Sequence, residues 1–207
     1  MRTNVYIDSF NLYFGCLRGS PYKWINLAAL CQYCLPSHYD INRIRFFTAL
    51  VHPRPGDTQQ VDRQRTFIRA LETIPNFSVH YGQFLHSKKW KPRADSLTIP
   101  PKMVQVLHTE EKGSDVNLAT CLLVDAFDGD FDAAVVVTDD SDLVEPIRIV
   151  RKKFRRHVTV LSPRGRSREL SLAATRFYKI EEAALRASQF PPTLQDANGT
   201  ITKPRGW

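Results

Sequence analysis

At 207 residues, with 43% hydrophobic and 24% charged side chains, the chain has the make-up of one globular domain, long enough to bury a core. No apolar stretch approaches the ~20 residues of a membrane span, and the opening MRTNVYIDSF meets an acid too early for a secretory leader; a cytoplasmic location without membrane attachment is expected. The formal charge of +8 is segregated: Glu110 to Glu145 holds eleven Asp/Glu against Lys112 alone, and Arg148 to Arg168 holds nine Lys/Arg and no acid. An acidic centre beside a basic flank suits an enzyme that holds divalent cations and receives a polyanion.

Taken in order, Asn4 to Ile7 is a short apolar strand ending at Asp8, with Asn11 three residues on, near the start of a helix. Asp8 fits either a helix N-cap or a metal ligand, and Asn11 either a turn amide or a group that supports the site. A helix follows through Ile25 to Leu35. It contains Cys31 and Cys34, but no second Cys/His pair stands at zinc spacing, so core packing is expected of them, and the four cysteines suggest no disulfide scaffold. Arg43 to Val51 reads as a strand, Thr58 to Thr73 as an amphipathic helix and Phe77 to Leu85 as an alternating strand. Between Ser87 and Pro101, Lys88, Lys89, Lys91 and Arg93 surround Trp90, with prolines discouraging regular structure. Such interleaving can follow a phosphate backbone while stacking a base, or be a basic loop whose Trp packs on its own domain.

After a short strand at Val104 to Leu107, a helix carries Asp115, Leu118, Ala119, Leu122, Leu123 and Ala126 on one face. Asp115 lies in its first turn, at the sheet-facing end of the apolar stripe. An inward carboxylate needs a partner, and a metal bridging it to strand-end acids would serve. Gly113 suits the tight turn before it. Ala133 to Val137 shows no alternation, as in a strand buried on both faces. It breaks into Thr138, Asp139, Asp140, Ser141 and Asp142 before a helix patterned by Leu143, Ile147 and Val150, at the sheet edge where open α/β folds place ligands. One acid suffices for a cap; three together repel unless a cation binds. His157 to Leu161 reads as a strand, Ser167 to Ala174 as a short helix and Phe177 to Ile180 as a last strand. Residues 1–182 form the expected domain, and 183–207, with Pro191, Pro192 and Pro204, an extended or mobile C-terminal tail. Alternation of strands and helices predicts an α/β sandwich around a mainly parallel sheet.

The stretches Ile7-Asp8-Ser9-Phe10-Asn11-Leu12, Glu111 to Ala119 (EKGSDVNLA) and Thr138-Asp139-Asp140-Ser141-Asp142-Leu143, in this order, resemble the NYN-domain family, relatives of the PIN-domain and 5′ nucleases. The resemblance spans roughly Asn4 to Ile180. It implies a PIN-like three-layer fold and metal-dependent cleavage of RNA, with Asp8, Asp115, Asp140 and Asp142 binding metal and Asn11 supporting them. Two positions depart from it: Asp139 stands where many members carry Gly, and Cys121 where some branches carry Asp.

Phosphodiester hydrolysis by one or two Mg²⁺ or Mn²⁺ ions held by carboxylates fits these residues, and no Ser-His-Asp or Cys-His set suggests covalent catalysis. The expected activity is that of an endoribonuclease, with Asp8, Asn11, Asp115, Asp140 and Asp142 at its centre. Lys88, Lys89, Trp90, Lys91, Arg93, Lys112, Arg164, Arg166 and Arg168 are its candidate nucleic-acid contacts, on RNA, with DNA left open. Two alternatives stand beside it: a catalytically silent nucleic-acid-binding module, and another Asp-rich α/β phosphohydrolase. A haloacid-dehalogenase-like enzyme of that kind expects Asp-x-Asp, where Phe10 stands two beyond Asp8, and a Toprim-like one expects Glu at an earlier strand end, where Asp8 stands.

Overall fold

The computed structural model describes residues 1–53, 56–205 and 207. In chain order it comprises β1 (Arg2–Asp8), α1 (Ser9–Leu12) continued by a π-helical turn (Tyr13–Leu17), α2 (Leu27–Cys34), β2 (Asp40–Thr48), α3 (Gln60–Leu71), β3 (Phe77–Tyr81), β4 (Gln83–Pro92) and β5 (Met103–Lys112). It continues with α4 (Ser114–Phe127), β6 (Ala133–Val137), a 3-10 turn (Ser141–Leu143) leading into α5 (Val144–Lys152), β7 (His157–Ser162), α6 (Arg168–Ala173), β8 (Arg176–Lys179), α7 (Glu182–Ala187), β9 (Thr193–Asp196) and β10 (Gly199–Thr202).

Six strands form one parallel sheet in the order β3-β2-β1-β6-β7-β8. Its two faces are both buried, which is why β6 reads as an unbroken apolar run. Val5, Ile7, Val135, Val137 and Leu161 point into one layer with Leu27, Leu30, Phe67, Leu71 and Leu185 of α2, α3 and α7. Tyr6, Ala134, Val136, Val158 and Val160 point the other way, onto Leu118, Leu122, Ile147, Val150 and Leu170 of α4, α5 and α6. The result is the expected α/β three-layer arrangement. Among the described residues no helix is long and apolar enough to cross a membrane.

The register carries the site. Pairing Ile7 with Val137 brings the next residues, Asp8 and Thr138, side by side at the carboxyl edge of the two central strands.

Two sequence expectations differ from the structure. The stretch expected as one strand and a proline-broken basic loop is split at Gly82 into β3, in the sheet, and β4, which pairs antiparallel with β5 over ten residues from Gln83↔Lys112 to Pro92↔Met103. The prolines do not interrupt this hairpin because Pro92 occupies its last pair while Pro100 and Pro101 fall in the connecting loop. The segment 183–207 is likewise no extended tail. It folds into α7 and the β9–β10 hairpin, with Phe190 and Ile201 buried against the core and the Trp24 indole N–H donating to the Pro191 carbonyl at 2.8 Å. Arg69 of α3 grips Asp196 with two hydrogen bonds of 2.7 and 2.5 Å. These are contacts across more than a hundred residues, invisible to local periodicity.

Candidate active site

Asp8 ends β1 and N-caps α1. Its Oδ1 accepts the Asn11 backbone N–H at 3.0 Å, and its Oδ2 accepts the Asn11 amide at 2.5 Å and the Thr138 hydroxyl at 3.1 Å. Only 2% of the residue is exposed. Burial pushes its carboxyl above the ordinary aspartate value; the bonds from Asn11 and Thr138 oppose the shift, and the Asp140 charge adds to it.

Asp140 stands three residues past the end of β6, the other central strand, and caps the 3-10 turn, accepting the Asp142 N–H at 2.9 Å. Its own N–H donates to Thr138 Oγ1 at 3.0 Å, so one buried hydroxyl links the two acids. Asp115 comes from the third direction, in the first turn of α4. Gly113 precedes that helix at φ +98, a left-handed conformation that glycine adopts without strain. Burial, followed by the charges of Asp8, Asp140, Glu111 and Asp142, pushes the Asp115 carboxyl up to about 6.

Asp8, Asp115 and Asp140 each offer a carboxylate oxygen within 4.8 Å of the others. Among the described residues the ion pairs lie elsewhere, and none involves these three or Asp142. Three converging, uncompensated acids, one nearly buried, form an all-oxygen donor set of the kind that suits a hard divalent cation such as Mg²⁺ or Mn²⁺.

The remaining expected residues fall around this centre. Asp142 is exposed at the rim, close enough to raise Asp115. Both amide atoms of Asn11 are engaged, Nδ2 with Asp8 and Oδ1 with the Asp139 N–H at 3.4 Å, so it ties the ends of β1 and β6 together. Asp139 turns away from the acids: its carboxylate accepts the Ser162 hydroxyl and, at 2.7 Å, the Arg164 N–H. The extra acid thus anchors the loop after β7, and with it Arg164.

Arg164, Arg166 and Arg168 are exposed and form no ion pair among the described residues. On the hairpin, Lys88 and Lys91 are exposed, whereas Arg93 is spent on Asp95, and Lys89 and Lys112 both face Glu110. Trp90 is 64% exposed, so it does not pack into the core of its own domain. Cys121 lies further along α4, near Arg45 and Asp125, outside the carboxylate group, and burial raises its thiol.

Two contributors escaped sequence reasoning. Thr138 was visible only as the first letter of its motif; its pairing with Asp8 required the register of β1 on β6. Glu111 accepts both the N–H (3.2 Å) and hydroxyl (2.8 Å) of Ser114, fixing the start of α4. Gly82 lies against it so closely that a Cβ there would overlap the Glu111 carboxylate.

A sequence model of the NYN domain matches residues 2–181. The 6-hydroxy-3-succinoylpyridine 3-monooxygenase HspA of Pseudomonas putida is 31% identical over 238 aligned positions, an alignment covering 100% of this chain and 75% of that protein. A crystal structure of a protein of unknown function from Vibrio parahaemolyticus shares the fold, with a TM-score of 0.58 at 19% identity over 87% of this chain and 93% of that one.

Proposed function

Because the chain belongs to the NYN-domain family, whose members are nuclease-like, we propose that it is a divalent-metal-dependent endoribonuclease. The observation that carries this reading is the convergence of Asp8, Asp115 and Asp140 within 4.8 Å, none of them in an ion pair among the described residues. Those three would hold Mg²⁺ or Mn²⁺, with Asp142 contributing from the rim, directly or through water. A bound ion of this kind neutralises charge on a scissile phosphate and makes a nearby water more acidic. The chain's own share is positional. Asn11 and Thr138 hold Asp8 in place, Thr138 also holds Asp140, and Glu111 sets the helix that presents Asp115. Arg164, Arg166 and Arg168 would take up neighbouring phosphates, which is sequence-independent binding.

Labelled single- and double-stranded RNA and DNA, incubated with the purified chain in Mn²⁺ and in EDTA, test the proposal. RNA fragments are expected only with metal. Asp140→Asn, which removes a ligand charge at nearly constant size, is expected to lose at least about a hundredfold in rate. Full activity of that variant would remove Asp140 from the centre.

A second reading comes from the Pseudomonas relative, named for oxygenation of a pyridine ring. Non-haem iron oxygenases use two histidines with one carboxylate, whereas the donors brought together here are carboxylates alone; this favours hydrolysis. Turnover of 6-hydroxy-3-succinoylpyridine by the purified chain would reverse the preference.

A further inference from the structure

The carboxylates lie between two exposed aromatic surfaces that the site itself does not use. On one side, the helix that begins at Asp8 continues past Asn11 to Tyr13 and Phe14, 37% and 49% exposed. Here the helix loosens into its π turn, the Arg18 N–H reaching back five residues to the Tyr13 carbonyl at 2.7 Å. That turn sets the Arg18 guanidinium over the Phe14 ring, 5.5 Å from its centroid, and the Tyr13 and Phe14 rings meet edge to face at 5.2 Å. Gly15, next after Phe14, lies so close to Pro163 that a Cβ would overlap it, and Arg164 Cγ stands 3.6 Å from the same position. The aromatic pair therefore adjoins the loop that Asp139 holds by the Arg164 N–H.

On the other side, Phe10 meets Phe84 at the root of the β4–β5 hairpin, ring centroids 5.7 Å apart. Strand alternation then places His86, Lys88 and Trp90 on the same hairpin face as Phe84, leading outward from the acids. An exposed aromatic ring standing alone is unremarkable on a protein surface. Two such sites, each beside unpaired cations and each rooted in a residue next to the acids, are not covered by that explanation.

Resting on the ribonuclease reading, we propose that the substrate is a single strand laid across the site. Its bases stack on Tyr13 and Phe14 on one side and on Trp90 on the other, while Arg18, Arg164 and Lys88 face its phosphates. The charge of both surfaces is complementary to a phosphate backbone, and the rings offer flat faces that only unpaired bases can meet. A duplex keeps its bases stacked inside and leaves Phe14 and Trp90 idle. Because the strand continues on both sides of the acids, the bond cut is internal.

Binding is measured apart from cleavage, in EDTA, by anisotropy of a fluorescein-labelled single-stranded RNA 12-mer and of its blunt duplex. Tryptophan emission is followed in parallel, since Trp90 is the most exposed of the three tryptophans, Trp24 being buried and Trp207 partly so. The single strand is expected to bind more tightly than the duplex and to quench that emission. Phe14→Ala and Trp90→Ala should each weaken binding about five- to a hundredfold, and Trp90→Phe should abolish the quench while restoring most of the affinity. Both positions are exposed, so unchanged melting temperatures would show that the variants are folded. Equal affinity for duplex, or parental affinity in both alanine variants, overturns the proposal, and metal-dependent cleavage by those same variants would leave the ribonuclease reading standing. A parent that cuts no nucleic acid yet shows the quench, and loses it with Trp90→Phe, sinks the cleavage reading and with it the internal cut, and upholds the binding of a single strand across the site.

Discussion

Asp8 and Asp140 each meet two demands at once. Each caps the turn that follows its strand, and each also points an oxygen at Asp115. Capping and ligation looked like competing explanations in the sequence, yet a carboxylate has enough lone pairs for both. Asp8, Asp115 and Asp140 could be read from their places at strand ends and on a helix face. Asp139 could not be told from its neighbours, because its outward turn depends on Ser162 and Arg164, more than twenty residues on. A different residue sets a pH response. His80 stacks on Phe47 at 4.8 Å, and burial, then the Arg45 charge, lowers its pKa from the ordinary 6.5. A depressed imidazole resists the proton that the unfolded chain accepts. Its contribution to stability is therefore intact above about pH 6.5 and drains away as pH falls through that value. Between pH 7.5 and 5.5 the melting temperature of His80→Phe should lose less than the parent's, with His157 acting in the same direction as His80 and the raised carboxyls of Asp8 and Asp115 acting in the opposite one. An unchanged slope would place the response in other groups.

Among elements, the buried strand β6 and the helices α4 and α5 declared themselves by pattern, because a strand covered on both faces is apolar throughout and a helix face packed on a sheet constrains every third or fourth residue. The β4–β5 hairpin did not. Its β5 strand, half-buried on one face, showed only as the short strand at Val104 to Leu107, while β4, exposed at every position but Phe84, tolerates polar and basic residues throughout and keeps no alternation. The loop from β7 into α6 makes a separate prediction. Arg164, Arg166 and Arg168 are exposed together there, and counterion release from three phosphate contacts should steepen the salt dependence of single-strand binding by about 2 in the log–log slope. The triple alanine variant should show a slope shallower by that amount. A slope equal to the parent's would move the phosphate path onto the hairpin.

At the scale of the molecule, the C-terminal segment closes the layer formed by α2 and α3. Phe190 packs at a tilt against Trp24, with ring centroids 5.8 Å apart, and Trp207 likewise against Phe67 at 5.5 Å. Truncation before Gln189 forfeits the burial of Phe190 and Ile201 as well as the Arg69–Asp196 pair. Burial alone is worth roughly 3–6 kcal/mol at about 1.5–3 per large side chain. Against a total of about 5–15 kcal/mol, the shortened chain should unfold at markedly lower urea or not accumulate folded at all. A truncated chain as stable as the parent would restore the free tail. Metal supplies the complementary test. An ion that binds only the folded acids should stabilise the protein by about 2.7 kcal/mol at a hundred times its Kd, so Mn²⁺ should raise the melting temperature dose by dose. Asp8→Asn should lose most of that gain. No gain from millimolar Mn²⁺, with or without a nuclease-resistant oligonucleotide, would point to a silent binding module.

The strand order also dictates when the centre can exist. β1 lies between β2, its near neighbour in sequence, and β6, so Asp8 leaves the ribosome 132 residues before Asp140, which it must meet. A nascent chain carries one acid, then two, and never the complete trio until β6 and the turn after it have emerged and docked beside β1. On the ribonuclease reading proposed above, synthesis takes place alongside messenger and ribosomal RNA with the acidic centre still unassembled, and its assembly is timed by topology rather than by an inhibitor.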